Sequence, residues 1–255
     1  AIIASIKELP EKKFSDGYAR SYLSFKDHVE TDYADRYLAS AFQLKVFRSA
    51  GQPFVHWTIE PEKMNFGETD NGIYASFEFV LRIEDGRGRP VFERTEEIPL
   101  KMTAAQYKAH ERQRFAFQDL LPVIPGEYKA LFLLKNKTAR DFLSFEVKLR
   151  VPGGSEARLS PPLLFHGREA VPEAQKGNLK AFTFGGFQYL IGAQNEFLPA
   201  ETVGVYFQAS NLAALKLAGP PSFGLEVFSV EAGASLGKVA LSDVARAADD
   251  PATLF

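Results

Sequence analysis

Between residues 143 and 151 every second side chain is apolar: Leu143, Phe145, Val147, Leu149 and Val151 alternate with Ser144, Glu146, Lys148 and Arg150. A two-residue period gathers the five apolar groups on one side of a pleated strand, whereas a helix would scatter them around its axis. Residues 73–83 repeat the pattern, with Ile73, Ala75, Phe77, Phe79, Leu81 and Ile83 on one side and Tyr74, Ser76, Glu78, Arg82 and Glu84 on the other. Val80 is the one blemish. The supply of 23 Phe and nine Tyr against one Trp and two Met suits strands in the same way, since bulky rings pack well on a pleated surface. The expected fold class is therefore all-β: two tandem immunoglobulin-like or fibronectin-like β-sandwiches with one short helix.

Weaker alternation predicts further strands over residues 39–47, 54–59, 91–100, 115–120 and 126–134. The intervening loops carry turn chemistry. Glu84-Asp85-Gly86-Arg87-Gly88-Arg89-Pro90 offers two glycines free to take positive φ and should close a hairpin, and Asp70-Asn71-Gly72 should do the same before Ile73. Residues 103–112 form the one convincing helix, with Thr103 as N-cap, about two turns long and bridging the two sheets.

Val151-Pro152-Gly153-Gly154-Ser155 ends a strong strand with proline and paired glycines, and charged residues thin out after it. The expected organisation is an N-terminal arm (1–13) pairing onto the first sandwich or lying across the joint, a first sandwich (14–151), a linker (152–156) and a second sandwich (157–255). The charge-poor second part must either pack on a neighbour or be incomplete. It alternates at Val203, Val205, Phe207 and Ala209, and at Phe223, Leu225 and Val227. The opening Ala1-Ile2-Ile3 reads as trimmed, and the stop after Asp249-Asp250-Pro251 reads as truncated.

Several functions are disfavoured by simple chemistry. A net charge of −2 leaves no basic field for nucleic acid, and no apolar stretch is long enough to span a bilayer as a helix. The absence of cysteine removes thiolate nucleophiles and cysteine metal sites. His28, His56, His110 and His166 have no i, i+4 partner that would place two ligands on one helical face, so no metal site is expected and no cofactor. His56, beside Trp57, reads as a core histidine, and His110 as part of a solvated basic face. The acidic run Asp27, Glu30, Asp32 and Asp35 has hard ligands for calcium but lacks the glycine turn and spacing of a calcium loop. Asn136-Lys137-Thr138 is a formal glycosylation sequon better placed in a hairpin loop.

Gly233-Ala234-Ser235-Leu236-Gly237 matches the G-x-S-x-G elbow of serine hydrolases, and Ser235 with Lys238 fits S-x-x-K. No histidine follows His166, so an elbow triad in its usual chain order cannot be completed, and catalysis at Ser235 is a remote alternative. Phe182, Phe184, Phe187 and Tyr189, punctuated by Gly185 and Gly186, form an aromatic segment with almost no charge. It is the candidate interaction or interdomain surface: an exposed adhesive stripe or, preferably, a contact between domains.

The order of signatures from Phe77 to Leu164 points further. It runs through the strand Phe77-Glu78-Phe79-Val80-Leu81, the Asp85-Gly86-Arg87-Gly88 turn and Ile98-Pro99-Leu100-Lys101-Met102-Thr103 with Tyr107. Pro125-Gly126-Glu127-Tyr128-Lys129, Val151-Pro152 and Leu159-Ser160-Pro161-Pro162 follow. It resembles the strand-rich accessory region of acidobacterial secreted VWFA-related and GWxTD-domain proteins. Neither the G-W-x-T-D motif nor a D-x-S-x-S metal-adhesion signature is present, so the resemblance concerns the accessory part alone and carries over no catalytic residue. It implies a sandwich on an exported protein that is periplasmic, on the cell surface or extracellular, with Tyr128 packing near a sheet corner.

The expected function is a non-catalytic structural or protein-interaction module of a larger exported bacterial protein. Its partners would be adjacent domains of the same full-length chain or another protein, met by burial of an apolar patch. Lys45, Arg48, Arg82 and Glu84 would act as charged edge-strand residues that discourage unwanted pairing. The alternative is a glycan- or peptide-binding module of a secreted enzyme.

Overall fold

The computed structural model describes residues 23–25, 37–70, 72–110, 115–175, 179–216, 222–240 and 253–254. Strands run β1 (Ser40–Ser49), β2 (Gln52–Pro61), β3 (Gly67–Thr69), β4 (Gly72–Asp85), β5 (Pro90–Met102), β6 (Phe117–Pro122), β7 (Gly126–Asn136) and β8 (Asp141–Val151). They continue as β9 (Arg158–Leu159), β10 (Leu163–Phe165), β11 (Gly167–Ala170), β12 (Thr183–Phe184), β13 (Phe187–Leu190), β14 (Gly204–Tyr206), β15 (Ala209–Ser210), β16 (Gly224–Phe228), β17 (Ser235–Ala240) and β18 (Thr253–Leu254). The fold is all-β, in several antiparallel sheets with very little helix.

Two compact units share the chain, and they do not simply follow one another. The first holds the described residues up to 42 together with 59–117 and 127–150; the second holds 43–58, 118–126 and the described residues from 151 on. Residues 43–58 and 118–126, assigned above to a first sandwich, thus lie in the same unit as the charge-poor segment after Val151.

In the first unit β4 is central. It pairs with β5 along its length, and along its other edge with β3 and then β7, which is followed by β8. The β4–β7 register sets Phe79 opposite Leu134 and Leu81 opposite Phe132, so these four side chains share one face. Phe42 packs on that face, stacked on Phe145 at 4.5 Å and tilted against Phe132 at 4.9 Å between ring centroids. The opposite face is buried too. Val80, Leu131 and Leu133 cluster there with Phe142, Phe25 and Tyr37, which explains why Val80 breaks the alternation: at its centre the sheet is covered on both sides. Arg82 and Glu84 sit on this central strand and pair with Glu93 (3.0 Å) and Lys129 (2.7 Å), so they do not guard an edge.

Local chemistry fixes the connections. Asp85 accepts the N–H groups of Arg87 and Arg89 and closes the β4–β5 hairpin, where of the two glycines only Gly88 takes positive φ. The helix Ala104–His110 begins with a reciprocal cap. The Thr103 hydroxyl accepts the Gln106 N–H at 3.2 Å and the Gln106 amide oxygen accepts the Thr103 N–H at 2.9 Å.

The β7–β8 hairpin is held by Asn136. Its Oδ1 accepts the N–H groups of Thr138 and Ala139 at 3.1 and 3.2 Å, and its Nδ2 donates to the Asn65 carbonyl at 2.7 Å. The sequon asparagine is therefore a buried turn residue with its amide nitrogen in use. Asn136→Ala removes three hydrogen bonds and leaves buried groups without partners, so urea unfolding should report a loss of about 2 kcal/mol.

The second unit holds most of the β1–β2–β6 sheet and, after Val151, is built from short strands: β10 with β14, β11–β13–β12, β18–β15–β9, and the hairpin β16–β17. Its core gathers Phe47, Leu163, Ala181, Phe182, Phe184, Tyr189 and Tyr206. The inward residue of β14 is Tyr206, with Val203 and Val205 outside the buried set; the alternation expected here has the opposite parity. Between β14 and β15 the buried Gln208 takes over pairing duties. Its Oε1 accepts the Arg48 N–H at 2.6 Å while its Nε2 donates to the Arg48 carbonyl and to the Tyr206 hydroxyl, both at 2.9 Å.

Candidate functional site

Ser235 opens β17, which pairs antiparallel with β16 and sets Ser235 opposite Phe228. A nucleophile elbow needs a strand running into a helix, and S-x-x-K needs one helical turn to bring its two ends together. Here a strand follows the serine, which puts residues three apart on opposite faces, and Lys238 is engaged with Glu226 at 3.2 Å.

The histidines do not converge. His28 and the acidic run Asp27, Glu30, Asp32 and Asp35 lie outside the described residues, and His110 closes the short helix. Among the described residues no group of three His, Asp or Glu side chains could hold a metal ion, and no helix is long and apolar enough to cross a membrane.

His56 is buried in an aromatic box, with Phe47, Phe184 and Phe182 rings at centroid distances of 5.5, 5.1 and 5.4 Å. Its Nδ1 accepts the Phe182 N–H at 2.9 Å, and Phe182 holds a left-handed φ of 54°. Burial away from water drives the imidazole pKa down to about 3, so the ring is a neutral acceptor. Phe182, Phe184 and Tyr189 are thus packed in the core of the second unit with Phe47 and Tyr206, and Phe187 is partly buried against them. They are not an exposed stripe.

Sequence reasoning missed a second imidazole contact. His166 Nδ1 lies 2.5 Å from Glu201 Oε1, with the Phe197 ring stacked on it at 4.3 Å. The His166 hydrogen bond and the Leu198 N–H together hold the Glu201 carboxyl below its ordinary range. A separation of 35 residues between the partners leaves no local signal to read.

Two surface features remain. The first is the β16–β17 hairpin, whose turn is closed by Ser229 N–H donating to the Ala234 carbonyl at 2.9 Å and by Gly233 at φ 61°. Its register places Leu225 opposite Val239 and Val227 opposite Gly237 on one face, with the Glu226–Lys238 pair on the other. Val227, Phe228, Val230, Leu236 and Val239 are all exposed, Phe228 by 54%, Leu236 by 69% and Val230 completely. Among the described residues this sheet ends at its two strands, leaving backbone edges available as well.

The second is a surface hollow of about 540 Å³ in the first unit, where the β4–β5 turn meets the start of β7 and the end of β8. Gly86, Tyr128, Lys129, Lys148, Leu149 and Arg150 contribute to its lining. Its size falls within the range of ordinary small-molecule sites.

No protein-family profile matches the chain, and no curated protein does. Among solved structures the chain is similar to a Bacteroides uniformis β-glucuronidase, at 14% identity and a TM-score of 0.32, over 54% of this chain and 16% of that one. It is also similar to a calcium-binding mutant of B. uniformis β-glucuronidase 2, at 12% identity and a TM-score of 0.31, over 50% of this chain and 15% of that one. The chain therefore spans about one sixth of the length of these structures.

Proposed function

We propose that the chain is a non-catalytic protein-interaction module of a larger exported bacterial protein, with immunoglobulin-like or fibronectin-like sandwich packing in its units. The antiparallel pairing of β3, β5 and β7 with β4 in the first unit and of the short sheets in the second, with the stacking of Phe42 on the β7–β8 face, supports the sandwich reading. The observation that carries the functional reading is the β16–β17 hairpin. Five large apolar side chains stand in water within 13 residues, where a solvated hairpin would carry polar ones. Their occupant is an apolar surface of an adjacent domain or of another protein, which gains affinity by burying Phe228 and Leu236 and by adding a strand to the open edge.

The test is hydrogen exchange on residues 224–240 in the 255-residue chain alone and within its complete natural protein. Protection is expected to rise in the complete protein and to vanish in the double variant Phe228→Ser with Leu236→Ser. That variant should fold with stability within about 0.5 kcal/mol of the parent, because both side chains are exposed. Equal exchange in both settings would sink the reading.

A further inference from the structure

Ala50 and Gly51 alone join β1 to β2, and both take positive φ, 49° and 74°, as a two-residue type I′ turn requires. Such a turn sets Ser49 opposite Gln52. Counting back along the two strands then sets Gln43 opposite Thr58, both in the second unit. Residues two apart share a face, so this is the face on which the Phe47 and His56 rings meet.

Both side chains are buried, Thr58 completely and Gln43 to 6% exposure. Gln43 Nε2 donates to Asn195 Oδ1 at 2.9 Å, which fixes the orientation of the amide and commits its nitrogen. Among the described residues neither Gln43 Oε1 nor Thr58 Oγ1 has a hydrogen-bond partner. Buried polar atoms in native proteins are paired almost without exception, because an unpaired one forfeits its hydration for nothing.

The chemistry of the two atoms selects the occupant. An amide oxygen only accepts, so an anion is repelled from it. Lys45 stands on the same face two residues from Gln43, which disfavours a cation. The Cβ atoms of opposed residues lie about 5 Å apart, a gap that suits one small bridging molecule. That molecule must donate to Gln43 and accept from Thr58, and water does both. Asn195, with a left-handed φ of 52°, belongs to the irregular segment between β13 and β14, so whatever steadies the Gln43 amide also steadies that segment. We propose that one buried water bridges Thr58 Oγ1 and Gln43 Oε1 and thereby anchors the segment that carries Asn195.

The first experiment is a crystal structure of the 255-residue chain, which should show a solvent peak within about 3.2 Å of both atoms. The second is Thr58→Val, which keeps the branched shape and is decisive through its sign. With the water in place the variant strands the Gln43 oxygen and should raise the unfolding equilibrium constant at least about fivefold in urea. A hydroxyl that has no partner would instead make valine the more stable residue. Amide hydrogen exchange over residues 192–196 should quicken in Thr58→Val and stay at the parent rate in Thr58→Ser, which retains the hydroxyl. Three results each overturn the proposal: a structure with no such peak, one in which Gln43 and Thr58 bond directly, and a Thr58→Val chain as stable as the parent or more so.

Discussion

Gly72→Ala is expected to destabilise the first unit by about 3 kcal/mol, the largest loss from an added methyl group at any of the described glycines. The residue holds φ at 151°, and a Cβ built on it would lie 2.1 Å from the Met102 carbonyl oxygen and 3.0 Å from the Thr103 Cα. Those neighbours are backbone, fixed by the pairing of Met102 with Ile73 and by the Thr103 cap, so relief requires the ends of β4 and β5 to part. Two other glycines calibrate the effect. Gly88 has φ 75° with nothing near its would-be Cβ, so Gly88→Ala should cost only the backbone strain, about 1 kcal/mol. Gly86 has open space and no positive φ, so Gly86→Ala should change little. Hydrogen exchange at the amides of β4 and β5 measures all three. A Gly72→Ala chain exchanging like Gly86→Ala would show that the strand ends give way freely.

The special role of Gly72 was half legible in the sequence. Asp70-Asn71-Gly72 announces a turn, and the β3–β4 hairpin is there, with Thr69 opposite Gly72. The approach of the Met102 carbonyl was not legible, because it comes from a strand 30 residues away. The same division holds through the first unit. The long strands β4, β5, β7 and β8 could be read from residue type, since an 11- to 14-residue strand repeats its two-residue period often enough to stand out. Burial on the second face could not, because it depends on Phe25, Tyr37 and Phe142 arriving from elsewhere.

The second unit was harder for a physical reason. After Val151 the strands have two to six residues and repeat a two-residue period at most three times, and the break at Phe207 and Gln208 hides the parity of β14, so that Tyr206 rather than Val205 turns inward. Nor does any local pattern say that Phe47 and His56 complete the core of Phe182 and Phe184 across more than 120 residues. The low charge of the aromatic segment reflects burial within its own unit. The exposed hairpin was visible only as an apolar segment, since exposure is a property of what fails to cover it.

Acidification should expose His56 as a built-in weak point of the second unit. In the fold its imidazole does not take a proton until about pH 3, because Phe47, Phe182 and Phe184 surround it and its Nδ1 is committed to the Phe182 N–H. In the unfolded chain the same ring titrates near 6.5. Below pH 6.5 the unfolded state therefore binds a proton that the folded state refuses, so stability is full above that pH and falls as pH drops toward 3. At pH 4.5 the loss is about 2.5 kcal/mol relative to neutral pH. Asp85, held at about 2 by Arg89, and Glu201, lowered by His166, also have depressed values, but their stabilisation is lost only below the ordinary carboxylate range. The window from pH 6.5 to 4.5 thus isolates His56 from both. Trp57, adjacent in β2, buried and the only tryptophan in the chain, is a convenient fluorescence reporter of unfolding. His56→Asn keeps an acceptor atom at the δ position for the Phe182 N–H and removes the titration, so it should lower stability at pH 7 while flattening the slope between pH 6.5 and 4.5. Parallel curves for the parent and the variant would mean that the imidazole reaches water and is not the neutral acceptor its aromatic box implies.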